Sequence, residues 1–221
     1  MSYILSPWAL IHSHGGKLRG GGGAGVATTW NPADKSANVI LSSGNLAYGA
    51  GASPTTSDGS RSTFSVPAGK FYFEATVNIS GANAPNLGIA TAAATFSGIN
   101  LNGGASFIVN CSTGGIFYNG AFTSISLAAP ATGGVMCFAI DLTNSQGWAR
   151  TNGGNWNNSG TANPATNVGG ISISALFPAN RAYAVVNSDV NANPIATANF
   201  GAAAFAQAVP SGFSAFNLVA S

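Results

Sequence analysis

The alternation of apolar and polar residues predicts a chain built from short β-strands. The clearest segment is 135–156, where an apolar run from Val135 to Leu142 is followed by a polar connection and a second run that begins at Trp148. A run of this length, preceded by Gly133-Gly134, favours a buried strand over a helix. We therefore predict a strand hairpin inside a β-sandwich.

Residues 69–79, GKFYFEATVNI, give the strongest single-strand pattern. Every second residue from Phe71 to Ile79 is apolar, and the intervening face carries Tyr72, Glu74, Thr76 and Asn78. Residues 39–41 and 46–48 flank a turn and predict a hairpin. Further strands are predicted at 87–90, 105–111, 115–119, 122–127, 171–177, 181–187 and 195–200, with a polar loop at 49–62 and no convincing helix. The strand spacing of roughly 8 to 15 residues predicts an all-β, two-sheet antiparallel sandwich.

Composition excludes several kinds of function. Apolar residues make up 46% of the 221 residues, enough for a substantial core, but charged residues make up only 5%, against about 25% in an ordinary domain. The net charge is +2, and the sequence contains neither a stripe of basic residues nor a polybasic amphipathic helix. We therefore expect neither a nucleic-acid partner nor a membrane partner.

Residues 1–27, called the leader below, form a separate unit ahead of the sandwich at 28–221. Its head is apolar and is followed by a glycine-rich joint; the head contains Tyr3, Ile4, Leu5, Trp8, Leu10 and Ile11. The head lacks a basic region and a signal-peptidase site, so we expect no signal peptide. So much apolar surface predicts docking onto another protein. A first strand that folds back onto the sandwich is the alternative.

Seven segments, in order, resemble the motifs of the SPRY domain, a member of the concanavalin A-like jelly-roll group. They are GKFYFEATV (69–77), LGIA (87–90), IFYNGAF (116–122), VMCFAIDLTNSQGWARTNGGNW (135–156), ISALFPA (173–179), ATANFG (196–201) and VPSGFSAF (209–216). The opening segment 29–48 looks like SPRY-like modules of tailed-phage and bacterial structural proteins. The resemblance implies two curved sheets, binding through loops at one rim, and usually no catalysis. The long Gly/Asn/Ala-rich loops 80–86 and 155–170 depart from the family pattern.

The five carboxylates, Asp34, Asp58, Glu74, Asp141 and Asp189, are scattered along the chain. Glycoside hydrolysis requires two carboxylates at a set separation, so we expect no enzyme activity. Asp141 is expected to hold a turn, and Glu74 to pair with Lys70 or Arg181.

Aromatic rings beside amides suit the faces and hydroxyls of sugars. The candidate ligand-binding residues are Tyr118, Asn119, Trp148, Trp156 and Asn157. Trp148 is also a core candidate because it lies on a predicted strand, whereas Trp156 is expected on a loop.

No cofactor is predicted. His12 and His14 flank Ser13 and give only a weak metal-site signal, which would require several chains to contribute. Cys111 and Cys137 lie in apolar patterns, consistent with buried free thiols or with a disulfide between neighbouring strands.

These features together predict a non-enzymatic virion structural protein of a tailed phage, assembled in the host cytoplasm. Its expected partners are capsid or tail proteins, bound through the leader, with bacterial surface glycan and further copies of the chain as additional candidates. The alternative is a freestanding carbohydrate-binding module.

Overall fold

The computed structural model describes residues 27–51, 57–97 and 104–217. Fifteen strands lie in these ranges, and the helical content is three single turns at Gly81–Asn83, Trp156–Asn158 and Pro164–Thr166. The strands are β1 (Trp30–Lys35), β2 (Val39–Ser42), β3 (Ala47–Ala50), β4 (Asp58–Val66), β5 (Lys70–Val77), β6 (Asn86–Ala90), β7 (Ser106–Asn110), β8 (Gly115–Tyr118), β9 (Ala121–Ser126), β10 (Val135–Asp141), β11 (Gln146–Thr151), β12 (Ile171–Ser172), β13 (Ala182–Ser188), β14 (Ala192–Asn199) and β15 (Ser214–Ala215).

The strands form two sheets. The first has the order β1-β4-β13-β6-β7-β8-β9, and the second has the order β12-β11-β10-β5-β14-β3-β2, with β15 pairing beside β5. Pairing is antiparallel except for the short β15–β5 ladder. The predicted two-sheet antiparallel jelly-roll sandwich is confirmed.

The core fills the space between the sheets. On β5 the alternation places Phe73 inside, where its ring stacks on Phe138 of β10 at a centroid distance of 4.9 Å. Phe200 and Phe216, near the C-terminal end of the described chain, also contact Phe73. Because these rings come from four distant segments, burial of this cluster ties the last strands to the first half of the chain.

The outer face of the second sheet is covered as well. Tyr72, Cys137, Ala139, Trp148 and Trp156 form a second apolar cluster there. Two segments lie over it, one from the loop 155–170 and one containing Phe205, Val209 and Phe213. Strands β5 and β10 are therefore buried on both faces, which explains the nearly unbroken apolar sequence of β10.

Two sequence predictions about elements are wrong. A polar loop is expected at 49–62, but strand β4 begins at Asp58. Polar residues of β4 form hydrogen bonds across the fold. For example, the Tyr48 hydroxyl donates to the Asp58 carbonyl at 2.6 Å. The strand expected at 171–177 ends at Ser172. Ile173 and Phe177 are buried although they lie in a turn, in which the Phe177 amide donates to the Ile173 carbonyl.

Cys111 and Cys137 are buried free thiols, which confirms the first of the two interpretations. Within the described ranges, no helix has the length and apolarity needed to cross a bilayer. The predicted anchor residues of the leader, and His12 and His14, lie outside the described residues.

Candidate functional site

A row of three chemically distinct side chains crosses the outer face of the second sheet. Cys137 on β10 lies opposite Glu74 on β5 and opposite Arg150 on β11. Tyr72 lies two residues before Glu74, and the Arg150 guanidinium stacks over the Trp156 ring at 4.3 Å. We call Tyr72, Glu74, Cys137, Arg150 and Trp156 the outer-face cluster.

Glu74 is the hydrogen-bonding centre of this cluster. The Tyr72 hydroxyl donates to Oε1 at 2.6 Å, and the backbone amides of Ala206 and Gln207 each donate to the carboxylate at 2.8 Å. The prediction that Glu74 pairs with Lys70 or Arg181 is wrong. Lys70 pairs with Asp141, and Arg181 donates to Ser65, so Glu74 instead holds a distant loop.

The Cys137 thiol is enclosed by this network. Its Sγ lies 3.5 Å from the Asn152 carbonyl oxygen, to which it donates. Burial raises the pKa of Cys137, and burial together with the Cys137 and Glu74 hydrogen bonds raises that of Tyr72. Both groups are therefore neutral at physiological pH, which suits a closed, structured face.

Trp148, Trp156 and Asn157 come together, but they are buried. The Trp148 indole donates to the Val168 carbonyl at 2.9 Å, and Trp156 is only 8% exposed. The Asn157 side chain accepts from the Ala149 amide at 2.9 Å. Its Nδ2 donates to two further backbone carbonyls. These residues fasten the loop 155–170 to β11, and in this arrangement they present no open ring to a sugar.

Tyr118 and Asn119 lie elsewhere, at the end of β8 in the first sheet. The Tyr118 hydroxyl accepts from the Leu176 amide at 2.9 Å, and burial raises its pKa. Asn119 has a φ of 49° in the turn to β9, and its Oδ1 accepts from the Ala105 amide at 3.0 Å. Tyr118 is half-buried and Asn119 is exposed, and both side chains connect loops at one rim.

Asp141 holds the turn after β10, as predicted. Its Oδ1 accepts from the amides of Thr143 and Asn144 at 3.0 Å each. Its Oδ2 accepts from the Asn144 side chain at 2.7 Å and lies 3.1 Å from the Lys70 ammonium. All its acceptor positions are therefore used within the fold.

The described residues contain no cluster of three or more metal-ligating side chains and enclose no ligand-sized cavity. Sequence reasoning missed the role of Arg150. A charged residue inside an apolar hairpin, in a chain with few charges, was the available signal.

Comparison with known proteins finds no matching family model and no matching curated protein. Solved structures do match. The SPRY domain of human HERC1 aligns with a TM-score of 0.60 and 10% identity, covering 76% of this chain and 96% of that one. The PSpry domain of TRIM65 aligns at 0.56 and 13% identity, covering 78% and 92%. A human SPRY domain aligns at 0.54 and 11% identity, covering 76% and 98%. The chain therefore has a SPRY-like fold, an antiparallel jelly-roll sandwich of two sheets.

Proposed function

We propose that the protein is a non-enzymatic structural protein of a tailed-phage virion. In this proposal the leader docks on a capsid or tail protein, and the SPRY-like sandwich is displayed on the particle, as a decoration or as an adhesive module.

One observation carries the proposal: the two ends of the sandwich meet at a single point. The Thr28 amide donates to the Asn217 side chain at 2.7 Å, across 189 residues of sequence. The leader therefore joins the sandwich at the same rim where the last described residues lie. A module attached at one rim presents its opposite rim outward, which is the geometry that display requires.

The opposite rim supports the same proposal. Antiparallel pairing places there the connections 36–38, 78–85, 111–114, 127–134 and 189–191. The first four contain no charged residue, and 189–191 contains one carboxylate, that of Asp189. The Asn, Ser and Thr side chains of these segments favour solvation or contact with neutral, hydroxyl-rich surfaces.

The carboxylates also favour a structural role. Asp141 and Glu74 use their oxygens to hold a turn and a loop, and Asp34 pairs with Arg61 at 2.9 Å. A general acid or base needs a lone pair or proton directed at substrate, whereas these carboxylates are directed at their own chain.

The test is deletion of residues 1–25 in the phage that carries the gene. We expect the truncated protein to keep its β-sheet circular dichroism but to be lost from purified particles. A matched control replaces only the four glycines 20–23 with serine, which retains the apolar head and should be incorporated. Incorporation of the deletion variant at the full-length level would contradict leader docking.

A further inference from the structure

Residues 201–212, called the lid segment, have the geometry of a hinged loop. They lie between Phe200 and Phe216, which are fully buried and pack against each other with ring centroids 6.2 Å apart. Gly201 and Gly212 have φ values of 105° and 83°, so each end has a glycine in a conformation that other residues rarely adopt. Both ends of the segment are therefore fixed by residues in the core, whereas none of residues 201–212 belongs to the buried core between the sheets.

The lid segment is attached to the sheet by side chains. Within the described chain, no backbone–backbone hydrogen bond joins residues 202–209 to the sheet. The polar attachments are the two amides donated to Glu74, a hydrogen bond from Arg150 Nη2 to the Ala208 carbonyl at 3.0 Å, and one from Asn199 Nδ2 to the Ala204 carbonyl at 2.9 Å. The apolar attachments are Val209 and the Phe205 ring. That ring packs edge-on against Tyr72 at 4.8 Å.

Such an attachment opens at lower cost than the sandwich unfolds. Most residues of the lid segment are exposed or half-buried, and they contribute few apolar contacts compared with the core between the sheets. Segments with few buried contacts and few backbone hydrogen bonds open locally while the remainder stays folded.

Opening would release matched hydrogen-bonding groups. Glu74 would lose two donors, Arg150 would lose one acceptor, and the Tyr72 face covered by Phe205 would become free. A sugar ring can replace all three, since its hydroxyls both donate and accept and its C–H face packs on an aromatic ring. A neutral ring also repels neither the carboxylate nor the guanidinium.

We propose that residues 201–212 form a lid over a glycan-binding surface made by Tyr72, Glu74 and Arg150, and that the ligand is a neutral oligosaccharide. This inference rests on the adhesive form of the proposed function. It does not depend on how the leader docks, and its test uses the purified full-length protein without particles.

Cys137 provides a reporter of lid opening, because it lies in the covered cluster, whereas Cys111 lies in the core between the sheets. The experiment measures iodoacetamide alkylation of each thiol by peptide mass spectrometry under native conditions. Phe205→Ala removes one aromatic contact of the lid. Phe122→Ala is the matched control, because Phe122 is exposed and lies on the first sheet.

We expect Phe205→Ala to accelerate alkylation of Cys137 by about tenfold, the size expected for loss of one aromatic pair, while Cys111 stays protected. Phe122→Ala should leave both rates unchanged. Equal acceleration of both thiols would show global unfolding, and an unchanged Cys137 rate would show that the segment does not open; either result overturns the lid.

The ligand is tested with cellohexaose, chitohexaose and maltohexaose. At least one should slow Cys137 alkylation saturably, and at lower concentration in Phe205→Ala than in the wild type, because the variant has less lid contact to displace. If none of the three protects Cys137 in the opened variant at millimolar concentration, the glycan assignment is wrong. Particle incorporation of the leader deletion is a separate measurement, so failure of either proposal is distinguishable from failure of the other.

Discussion

Glu74 illustrates how a chain with few charges uses a buried one. Its carboxylate accepts three hydrogen bonds, and two of the donors, at Ala206 and Gln207, are 132 and 133 residues away in sequence. Hydrogen bonds to charged groups are stronger than those between neutral groups, so one side chain can hold a loop that has no backbone pairing of its own.

Replacing Glu74 with Gln should destabilise the protein by about 2–3 kcal/mol, because the amide group places donors against donor N–H groups. Urea denaturation followed by tryptophan fluorescence measures this change. Asp189→Asn is the matched control, since Asp189 is exposed, and it should change stability by less than about 0.5 kcal/mol. Equal effects of the two substitutions would contradict the role assigned to Glu74.

Asp141 predicts a pH dependence of stability. Burial acts to raise the pKa of Asp141, but hydrogen bonds from Asn144 and the Lys70 ammonium outweigh it and hold the pKa below its ordinary value of 3.8. The folded protein therefore binds this proton more weakly than the unfolded chain does. The stabilisation is complete above the ordinary value and is lost as pH falls through the lower folded value.

Asp141→Asn should consequently lower the free energy of unfolding at pH 7 and reduce its pH dependence between about pH 5 and pH 3. Urea titrations at a series of pH values provide the measurement. A variant whose pH profile parallels that of the wild type would show that Asp141 does not contribute this linkage.

The roles of single residues were predictable where the partner is local. Asp141 ends a strand and precedes a turn, and its amide partners are two and three residues away. Glu74 and Trp156 were not predictable, because their surroundings come from loops far along the chain. An Asn-rich sequence around Trp156 suggested an exposed loop, yet Asn157 satisfies its amide with backbone groups and draws the loop onto the sheet.

At the scale of elements, the pattern of apolar and polar residues located two kinds of strand. These are strands with one apolar and one polar face, and strands that are apolar along their length; β5, β10 and β13 are examples. The pattern missed the start of β4, where Asp58, Ser60, Arg61 and Ser62 are buried yet polar. Their partners lie across the fold: Arg61 donates to Asp34 and to the Ala94 carbonyl. Long-range hydrogen bonding of this kind leaves no periodic signal in the sequence.

Because β6 packs closely against β7, we expect the stability of the protein to be sensitive to substitution of Gly88. A Cβ at this position would lie 2.1 Å from the Phe107 carbonyl oxygen and 2.8 Å from Ile108 Cα, both backbone atoms that cannot rotate away. Gly88→Ala should therefore cost about 3 kcal/mol or more, measured by chemical denaturation.

Gly160→Ala is the control, because no atom lies within 4 Å of a Cβ at Gly160. This change should alter stability by less than about 0.5 kcal/mol. Tolerance of alanine at Gly88 equal to that at Gly160 would contradict the described register of β6 on β7.

At the scale of the whole molecule, the sequence predicts an apolar leader ahead of the sandwich, and the ends of the described sandwich meet at one rim. All strands of both sheets come from residues 30–215 of the described ranges. The two-sheet architecture was predictable from strand spacing and motif order, whereas the covering of the outer face was not, because the covering loops carry no periodic pattern.

The most direct test of the proposed display is cryo-electron microscopy of the native assembly, with the neighbours of residues 1–19 identified. The proposal predicts that Tyr3, Ile4, Leu5 and Trp8 lie in an apolar groove of a capsid or tail protein, with the sandwich projecting outward. A leader packed beneath the sheets of its own chain, with no partner in contact, would contradict it.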